Sequence, residues 1–233
     1  MSGAPARSII PPRTLPIILG AHIILSTYGF WLPNDPRGSW SDYVGKPELF
    51  NLGRATKVQT AKSVAHVPHD AHARRAAKKL LEYPPVRFTG RQALAIAEGF
   101  RQAIREGDYI IHACCILPTH VHLAIGPHER KYHMIALHLK NRATSVLRQR
   151  GLDPMQALTP PGEAPPSPWA KGLWKVYIRD AEHLRAVIRY VEENPLREGK
   201  KIQRWSFVSP LNAAHEAAPD KQTGQSKEWT GKP

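Results

Sequence analysis

Runs of apolar residues along the chain mark candidate strands. The first run, residues 15–32, is rich in β-branched and aromatic side chains and predicts a core strand. Two further runs, 109–117 and 120–125, are separated only by Pro118 and Thr119, and so short a connection predicts an antiparallel hairpin. Shorter runs indicate two more candidate strands, at 173–178 and 205–208.

Other segments place apolar residues three or four positions apart, the spacing of an amphipathic helix. This spacing predicts helices over residues 71–82, 90–106 and 134–149. Another helix is predicted over 181–194, with Asp180 as its N-cap and Pro195 as the residue that ends it. Because helices separate strands that are not neighbours in sequence, we expect an α+β fold, a mostly antiparallel sheet with helices packed on one face.

The length and the remaining segments indicate one domain with tails. The chain has 233 residues, of which 42% are hydrophobic, enough for a single sizeable core. We expect a flexible lead at 1–14, a domain over 15–208 and a disordered tail at 209–233. Within the domain, an insert at about 40–90 has an irregular first part, and 151–168 is a proline-rich loop.

The charge balance indicates a polyanionic partner. The chain has 33 Lys and Arg against 19 Asp and Glu, a formal net charge of +14. Cations that meet phosphates release condensed counterions, so this excess favours nucleic acid, with a ribosomal or a membrane-surface protein as the alternatives.

The sequence contains neither an apolar run of the ~18 residues that a membrane helix needs nor an N-terminal signal core. Cys114 and Cys115 are adjacent and would point to opposite faces of a strand, so we expect no disulfide. We therefore expect a cytoplasmic protein, which would associate with the nucleoid if its nucleic-acid partner is DNA.

His120 and His122 are the first candidate site residues. On a strand, residues two positions apart project to the same face, so the two imidazoles would stand side by side while Val121 enters the opposite face. Paired neutral imidazoles are good ligands for a divalent metal. The alternative is two solvated or core-edge histidines, although burying both in a central strand without a role would be costly.

Tyr190 and Asn194 are the second candidate pair. They lie one helical turn apart at the margin of the apolar stripe of the predicted 181–194 helix, and His183 falls on the same row. A phenol and an amide would therefore face the same edge of a cleft. The alternative is a tyrosine that packs at a core boundary with its hydroxyl in water, followed by an ordinary helix end.

Taken together, these segments resemble the single-tyrosine HUH transposases, in particular the REP-associated tyrosine transposases and their relatives. The resemblance covers roughly residues 15–208. It is carried by LPTHVHL at 117–123 and YVEENP at 190–195, with support from TYGFWLPNDPRG at 27–38, GLW at 172–174 and DAEHL at 180–184.

The chain also departs from the family at two places. NPLREG at 194–199 stands where the family often has NPVKAG. WSF at 205–207 replaces the longer tryptophan-rich segment with which the family's domain ends. These differences bear on which DNA ends are recognised more than on the chemistry.

The resemblance implies a ferredoxin-like or RRM-like HUH fold and a DNA transposase that cleaves and rejoins single strands. It assigns His120, His122 and Asn194 to a Mg²⁺ or Mn²⁺ ion and makes Tyr190 the nucleophile that forms a 5′-phosphotyrosine link. The implied partner is single-stranded DNA, with hairpin-bearing element ends or REP-like repeats. Since one tyrosine makes one link at a time, full excision needs a homodimer or two successive cycles.

We expect the DNA contacts to come from cations and aromatic rings. The candidate cations lie in the loop after the first strand and along the polar side of the 134–149 helix and just past its end: Arg37, Lys140, Arg142, Arg148 and Arg150. Basic grooves that bind single strands also stack bases on aromatic side chains. The candidate rings are Trp31, Trp40, Trp169 and Trp174.

Two other functions remain open from the sequence. One is a catalytically silent, domesticated DNA-binding relative that keeps the basic surface. The other is a zinc-binding protein that uses His66, His69 and His72, whose spacing puts them roughly on one side of a helix but without a neighbouring acidic or cysteine ligand.

Overall fold

The computed structural model of the chain describes residues 18–58, 60, 64 and 67–211. The predicted lead at 1–14, the predicted tail beyond residue 211 and His66 lie outside the described residues. None of the helices in the described part is long and apolar enough to cross a membrane.

The described residues fold into an antiparallel sheet with helices, which confirms the predicted α+β class. The strand order is β2-β3-β1-β4, and each strand is antiparallel to its neighbours. In chain order the elements are β1 (Gly20–Ser26), α1 (Pro47–Phe50), α2 (Ala71–Lys79), α3 (Gly90–Gly107), β2 (Ile111–Ile116), β3 (His120–Ile125), α4 (Tyr132–Gln149), a 3₁₀ turn (Gln156–Leu158), β4 (Trp174–Ile178) and α5 (Ala181–Arg197).

Helices cover both faces of the sheet. Residues such as Ile23 and Leu123 pack with α3 and α4 in the larger core cluster. Residues such as Ala124 and Ile178 point the other way and pack against the apolar stripe of α5. The prediction of helices on one face therefore describes α3 and α4, whereas α5 lies on the opposite face because that side of the sheet is also apolar. Cys114 and Cys115 point to opposite faces, as predicted.

The turn between β2 and β3 is held by bonds from two other segments. The backbone N–H of Leu117 donates to the carbonyl of His120 at 2.9 Å, and Phe88 N donates to Pro118 O at 2.7 Å. The buried Thr27 hydroxyl lies 3.0 Å from Thr119 O and 2.8 Å from Val86 O. These bonds fix the point at which His120 enters the sheet, and they confirm the predicted hairpin.

Helix α5 begins as predicted but ends three residues later than predicted. The Asp180 side chain accepts from the backbone N–H of His183 at 2.7 Å, which makes it the N-cap. Pro195 does not end the helix; it lies inside the last turn, and the helix continues to Arg197. A proline removes only its own N–H, so a turn can follow it when the last carbonyls find donors. Here Lys200 N donates to Pro195 O at 2.9 Å.

Two predicted strands differ in the structure. The first is shorter than 15–32, because the chain turns after Ser26 and Tyr28 N donates to Pro168 O at 2.9 Å. The predicted strand at 205–208 is wrong: Val208 N donates to Trp205 O, which closes a turn. Trp205 and Phe207 pack on the core from this turn, so their burial needs no sheet pairing.

Gly99 sets how closely α3 approaches α4. A Cβ atom placed on Gly99 would lie 2.5 to 2.6 Å from the backbone atoms of Ala143 and 2.6 Å from the carbonyl oxygen of Arg142. These are backbone atoms of a packed helix, so they cannot move aside without shifting α4.

We expect Gly99→Ala to destabilise the fold by about 1–3 kcal/mol through overpacking, although alanine is the better helix former. Gly90→Ala is the matched control, because a Cβ atom at Gly90 meets no atom within 4 Å. It should leave the free energy of unfolding unchanged or raise it by up to about 1 kcal/mol. Urea unfolding measures both variants, and equal effects would contradict the packing argument.

Candidate functional site

A cavity of about 760 Å³ lies between the α5 face of the sheet, α5 itself and the loop that follows β1. Four segments supply its chemistry-bearing residues. His22 comes from β1, the histidine pair from β3, Trp174 from β4 and Tyr190 from α5. The predicted residues of both candidate pairs therefore line one cavity.

His120 and His122 stand side by side on β3, with ring centroids 4.8 Å apart. Burial lowers the pKa of His120 from 6.5 to about 4. Burial, reinforced by the charges of His120 and His22, also holds the pKa of His122 well below its ordinary value. Both imidazoles are therefore neutral at physiological pH, the state in which a ring nitrogen can bind a metal.

The Nδ1 atoms of both imidazoles already have partners. His120 Nδ1 lies 3.0 Å from the Thr119 hydroxyl, and His122 Nδ1 lies 3.1 Å from Nε2 of His22. Such outer contacts orient metal-binding histidines and leave the other nitrogen for the ion. The nitrogens that remain to bind a metal are thus the Nε2 atoms of His120 and His122.

Asn194 is the candidate third donor. It is buried and lines the same cavity, from a position one turn after Tyr190. Among the described residues no group of three His, Cys, Asp or Glu side chains could hold a metal ion. Two imidazole nitrogens and an amide oxygen could bind a divalent ion that takes its remaining ligands from water or phosphate oxygen.

Tyr190 lies against the histidines. Its ring centroid is 5.5 Å from that of His122 and 5.7 Å from that of His22, in edge-on contacts. The exposed Arg197, two turns further along α5, places its guanidinium carbon 4.9 Å from the Tyr190 ring centroid. A phenol, two neutral imidazoles and a cation therefore converge on one cavity.

His22, like Arg197, lies in this site although the sequence did not predict it. It is 6% exposed, and burial lowers its pKa from 6.5 to about 4, with a smaller effect from the charge of His183. A single histidine in an apolar strand carries no pattern of its own. The signal that could have found it is the strand pairing, because His22 stands opposite Ala124 and is therefore a diagonal neighbour of His122 on one face.

Aromatic rings form the rim of the cavity. Trp40 is 40% exposed, and its ring centroid lies 5.7 Å from that of Trp174. Phe30 stacks on His120 with centroids 5.4 Å apart. Of the predicted stacking residues, Trp31, Trp40 and Trp174 line the cavity, whereas Trp169 lies in the core on the other side of the sheet.

Two of the predicted DNA-binding cations are held by internal partners. Arg37 lines the cavity, but its guanidinium pairs with Asp35 at 2.7 Å and lies 3.8 Å from the Trp31 ring centroid. Lys140 is buried, and its ammonium donates to the carbonyls of Ala170 and Gly172 at 2.7 and 2.8 Å. Burial lowers the pKa of Lys140 to about 8.

The other predicted cations lie on or next to α4, across the sheet from the histidines. Arg142 pairs with Glu106 at 2.8 Å and Arg148 with Asp153 at 2.9 Å. Arg150 is exposed just after the helix. The structure does not bring these residues to the cavity, so their contact with DNA stays a prediction for the opposite face.

Of the three histidines in the zinc alternative, the structure describes two, His69 and His72. Nδ1 of His69 lies 2.9 Å from Val67 O, and His72 lies in the first turn of α2. Within the described residues neither belongs to a group of three metal-binding side chains. Because His66 lies outside those residues, the alternative stays a hypothesis.

The solved structures that are similar to this chain include two transposases, both at low similarity. A REP-associated tyrosine transposase bound to a REP hairpin is 14% identical with a TM-score of 0.40, over 95% of this chain and 96% of that chain. A protein from Deinococcus radiodurans R1 that is assigned as a transposase is 12% identical with a TM-score of 0.39, over 84% of this chain and 100% of that chain. At this identity and TM-score neither likeness identifies the family of the chain. No protein-family model matches the chain. No curated protein matches it either.

The buried histidines should make stability depend on pH. The pKa values of His22 and His120 are about 4 in the folded protein, against 6.5 for an unperturbed histidine. Between these values the unfolded chain binds more protons, so the free energy of unfolding must fall as the pH falls from 6.5 to 4. Each histidine contributes about 3 kcal/mol to this fall as an upper value.

Urea unfolding of the metal-free protein at several pH values tests this expectation. Carboxylates also titrate near pH 4, so the informative quantity is the difference between the wild type and His120→Gln. The variant should lose less stability than the wild type between pH 6.5 and 4. Parallel curves for the two proteins would show that burial of His120 does not set its pKa.

Proposed function

We propose that the protein is a DNA transposase that cleaves and rejoins single-stranded DNA through a covalent link to Tyr190. The observation that carries this proposal is the position of the Tyr190 ring, 5.5 Å from that of His122 within one cavity. The two residues are far apart in sequence, and a tyrosine that only packed at a core boundary would have no need of two neutral imidazoles beside it.

We assign Mg²⁺ or Mn²⁺ to His120, His122 and Asn194. The two histidines would bind through Nε2, because Thr119 and His22 occupy the Nδ1 sides. When bound, the metal supplies Lewis-acid polarisation of the scissile phosphate and stabilisation of the departing 3′ oxygen.

Tyr190 supplies the nucleophile. Its phenolic oxygen forms a bond to phosphorus, its proton leaves to solvent, and the bond from phosphorus to the 3′ oxygen breaks, so that the 3′ oxygen takes up a proton. A free phenol is mostly protonated at neutral pH, so a neighbouring positive charge helps the attack. Arg197 is placed to provide that charge.

The covalent product preserves the energy of the broken ester. One phosphodiester is exchanged for one phosphotyrosine ester, so the 3′-OH of a second strand can reverse the step without ATP. Because each chain provides one such tyrosine, complete excision uses two subunits or two successive cycles.

The rim of the cavity fits an unpaired strand. Every base has an aromatic face, and stacking on a tryptophan contributes about 1–3 kcal/mol per base without sequence preference. The partly exposed Trp40, next to Trp174, offers such a surface at the mouth of the cavity. A duplex keeps its bases stacked on each other, so this rim favours single-stranded DNA or the unpaired part of a hairpin.

A group of cations on and near α2, which we call the α2 cationic surface, is placed to bind a phosphate of that strand. It consists of Arg74, Lys78 and Arg87. The Lys78 ammonium lies 5.4 Å from the Phe30 ring centroid, and Phe30 stacks on His120. In the described part of the chain none of the three cations forms a salt bridge. Burial and the neighbouring arginines lower the pKa of Lys78, a cost that a bound phosphate would offset.

The covalent step is tested with Tyr190→Phe. The probe is a labelled single-stranded oligonucleotide from the DNA that flanks the gene, incubated with Mn²⁺ and analysed on a denaturing gel for a protein–DNA adduct. We expect the variant to form no adduct and to bind the same oligonucleotide with an affinity within about threefold of wild type, because a lost hydroxyl contributes little to binding.

Tyr177→Phe is the matched control for this experiment. Tyr177 is also a partly exposed tyrosine, but it lies on β4 on the side that faces α4, where it contacts Tyr132. This variant should form the adduct at the wild-type rate. Cleavage by Tyr190→Phe at the wild-type rate would refute the proposal. Binding by the wild type without any adduct would favour the catalytically silent relative.

The α2 cationic surface is tested by the salt dependence of binding. Lys78→Met should lower the affinity for a single strand and reduce the slope of log K against log salt by about 0.7, the value for one lost phosphate contact. Lys79→Met is the control, since consecutive helical residues do not share a face and Lys79 is exposed. Equal slopes for the two variants would remove Lys78 from the DNA path.

A further inference from the structure

The unassigned histidine of the site, His22, contacts both His122 and Tyr190. Its ring lies 5.3 Å from that of His122 in a near-parallel stack and 5.0 Å from that of Trp174. It also meets the edge of the Tyr190 ring at 5.7 Å. The His22 side chain therefore lies between β3, which carries the histidine pair, and α5, which carries Tyr190.

The contact between His22 and His122 is a hydrogen bond that requires one shared proton. Nε2 of His22 lies 3.1 Å from Nδ1 of His122. Both rings are neutral, so each carries one N–H, and two arrangements are compatible with the distance. Either His122 donates from Nδ1, which leaves a lone pair on its Nε2, or His22 donates from Nε2, which makes Nε2 of His122 the protonated atom.

Only the first arrangement leaves His122 able to bind a metal through Nε2. Neutral histidine in water favours the Nε2–H form, so the ligand form of His122 needs a partner that accepts from Nδ1. Thr119 provides a hydroxyl that can accept from Nδ1 of His120 in the same way. His22 is the corresponding group for His122.

We propose that His22 is a positioning residue: it accepts a hydrogen bond from Nδ1 of His122 and so holds the Nε2 lone pair of His122 toward the metal position. The proposal rests on the proposed function in that it takes His122 to be a metal ligand. His22 itself is not a ligand, because its Nε2 is directed at Nδ1 of His122.

The proposal is tested with variants that change the hydrogen-bond acceptor at position 22 and keep the packing of the side chain there. His22→Phe keeps an aromatic ring against Trp174 and Tyr190 but cannot accept a hydrogen bond. His22→Gln restores an acceptor, because a glutamine oxygen reaches about the position of Nε2. Val176→Ala is the control for packing alone, since Val176 stands opposite His22 in β4. Far-UV circular dichroism and thermal unfolding establish that each variant is folded.

The first measurement is ¹⁵N NMR of the histidine side chains in the metal-free, DNA-free protein. In the wild type, His122 should show the Nδ1–H form. It should shift toward the Nε2–H form in His22→Phe, return toward the wild-type form in His22→Gln and stay unchanged in Val176→Ala. A wild-type His122 in the Nε2–H form would overturn the proposal. This readout needs neither metal nor DNA, so it can fail while adduct formation by the wild type succeeds.

The second measurement is the rate of adduct formation at increasing Mn²⁺. His22→Phe should need about 10- to 100-fold more Mn²⁺ or react that much more slowly, the usual effect of removing a partner of a metal-binding histidine. His22→Gln should recover most of this loss. An unchanged Mn²⁺ dependence and rate in His22→Phe would overturn the proposal.

Discussion

The antiparallel pairing of β1 with β3 is the constraint on which the site depends. In the observed register Ile24 stands opposite His122 and His22 opposite Ala124, so His22 and His122 are diagonal neighbours on one face. A slip by one residue would turn one histidine into the α3 and α4 core and separate it from the other. That core is filled by large apolar side chains such as Ile23 and Leu123, and their burial holds the register in place.

Helix α5 completes the site by covering the face to which the histidines point. Its apolar stripe packs on the sheet, and this burial keeps the imidazoles neutral. Asp180 fixes where the helix begins, and the turn that continues through Pro195 keeps Arg197 on the same helix as Tyr190. The phenol and the cation are therefore held together without a loop between them, which suits the proposed function, in which a phosphate would lie between α5 and β3.

For the proposed binding of DNA at the cavity, the positions of the cations matter more than the net charge of the chain. The cations of α4 form ion pairs or lie across the sheet, and Lys140 is used to join α4 to the segment before β4. The insert at 40–90 instead supplies α2 with Lys78, and Trp40 at its start, next to the cavity. The irregular first part of the insert, with Trp40, and its predicted helix, with Lys78, thus contribute part of the rim at which we propose that DNA enters.

Local patterns in the sequence determined most of the elements, although not the extent of β1 or the turn at 205–208, since apolar spacing, the Asp180 cap and the short turn before His120 each act within a few residues. They also determined that His120 and His122 share a face and that Tyr190 and Asn194 share a helix row. Only the tertiary structure decided that α5 covers the sheet face that carries the histidines, that α5 continues beyond Pro195 and that His22 lies in the site. The placement of α5 and of His22 depends on which strands pair and which face each helix buries, and these contacts join residues about 70 to 170 positions apart, beyond the reach of any local pattern. The continuation past Pro195 depends on the bond from Lys200 N to its carbonyl, which the proline itself does not reveal.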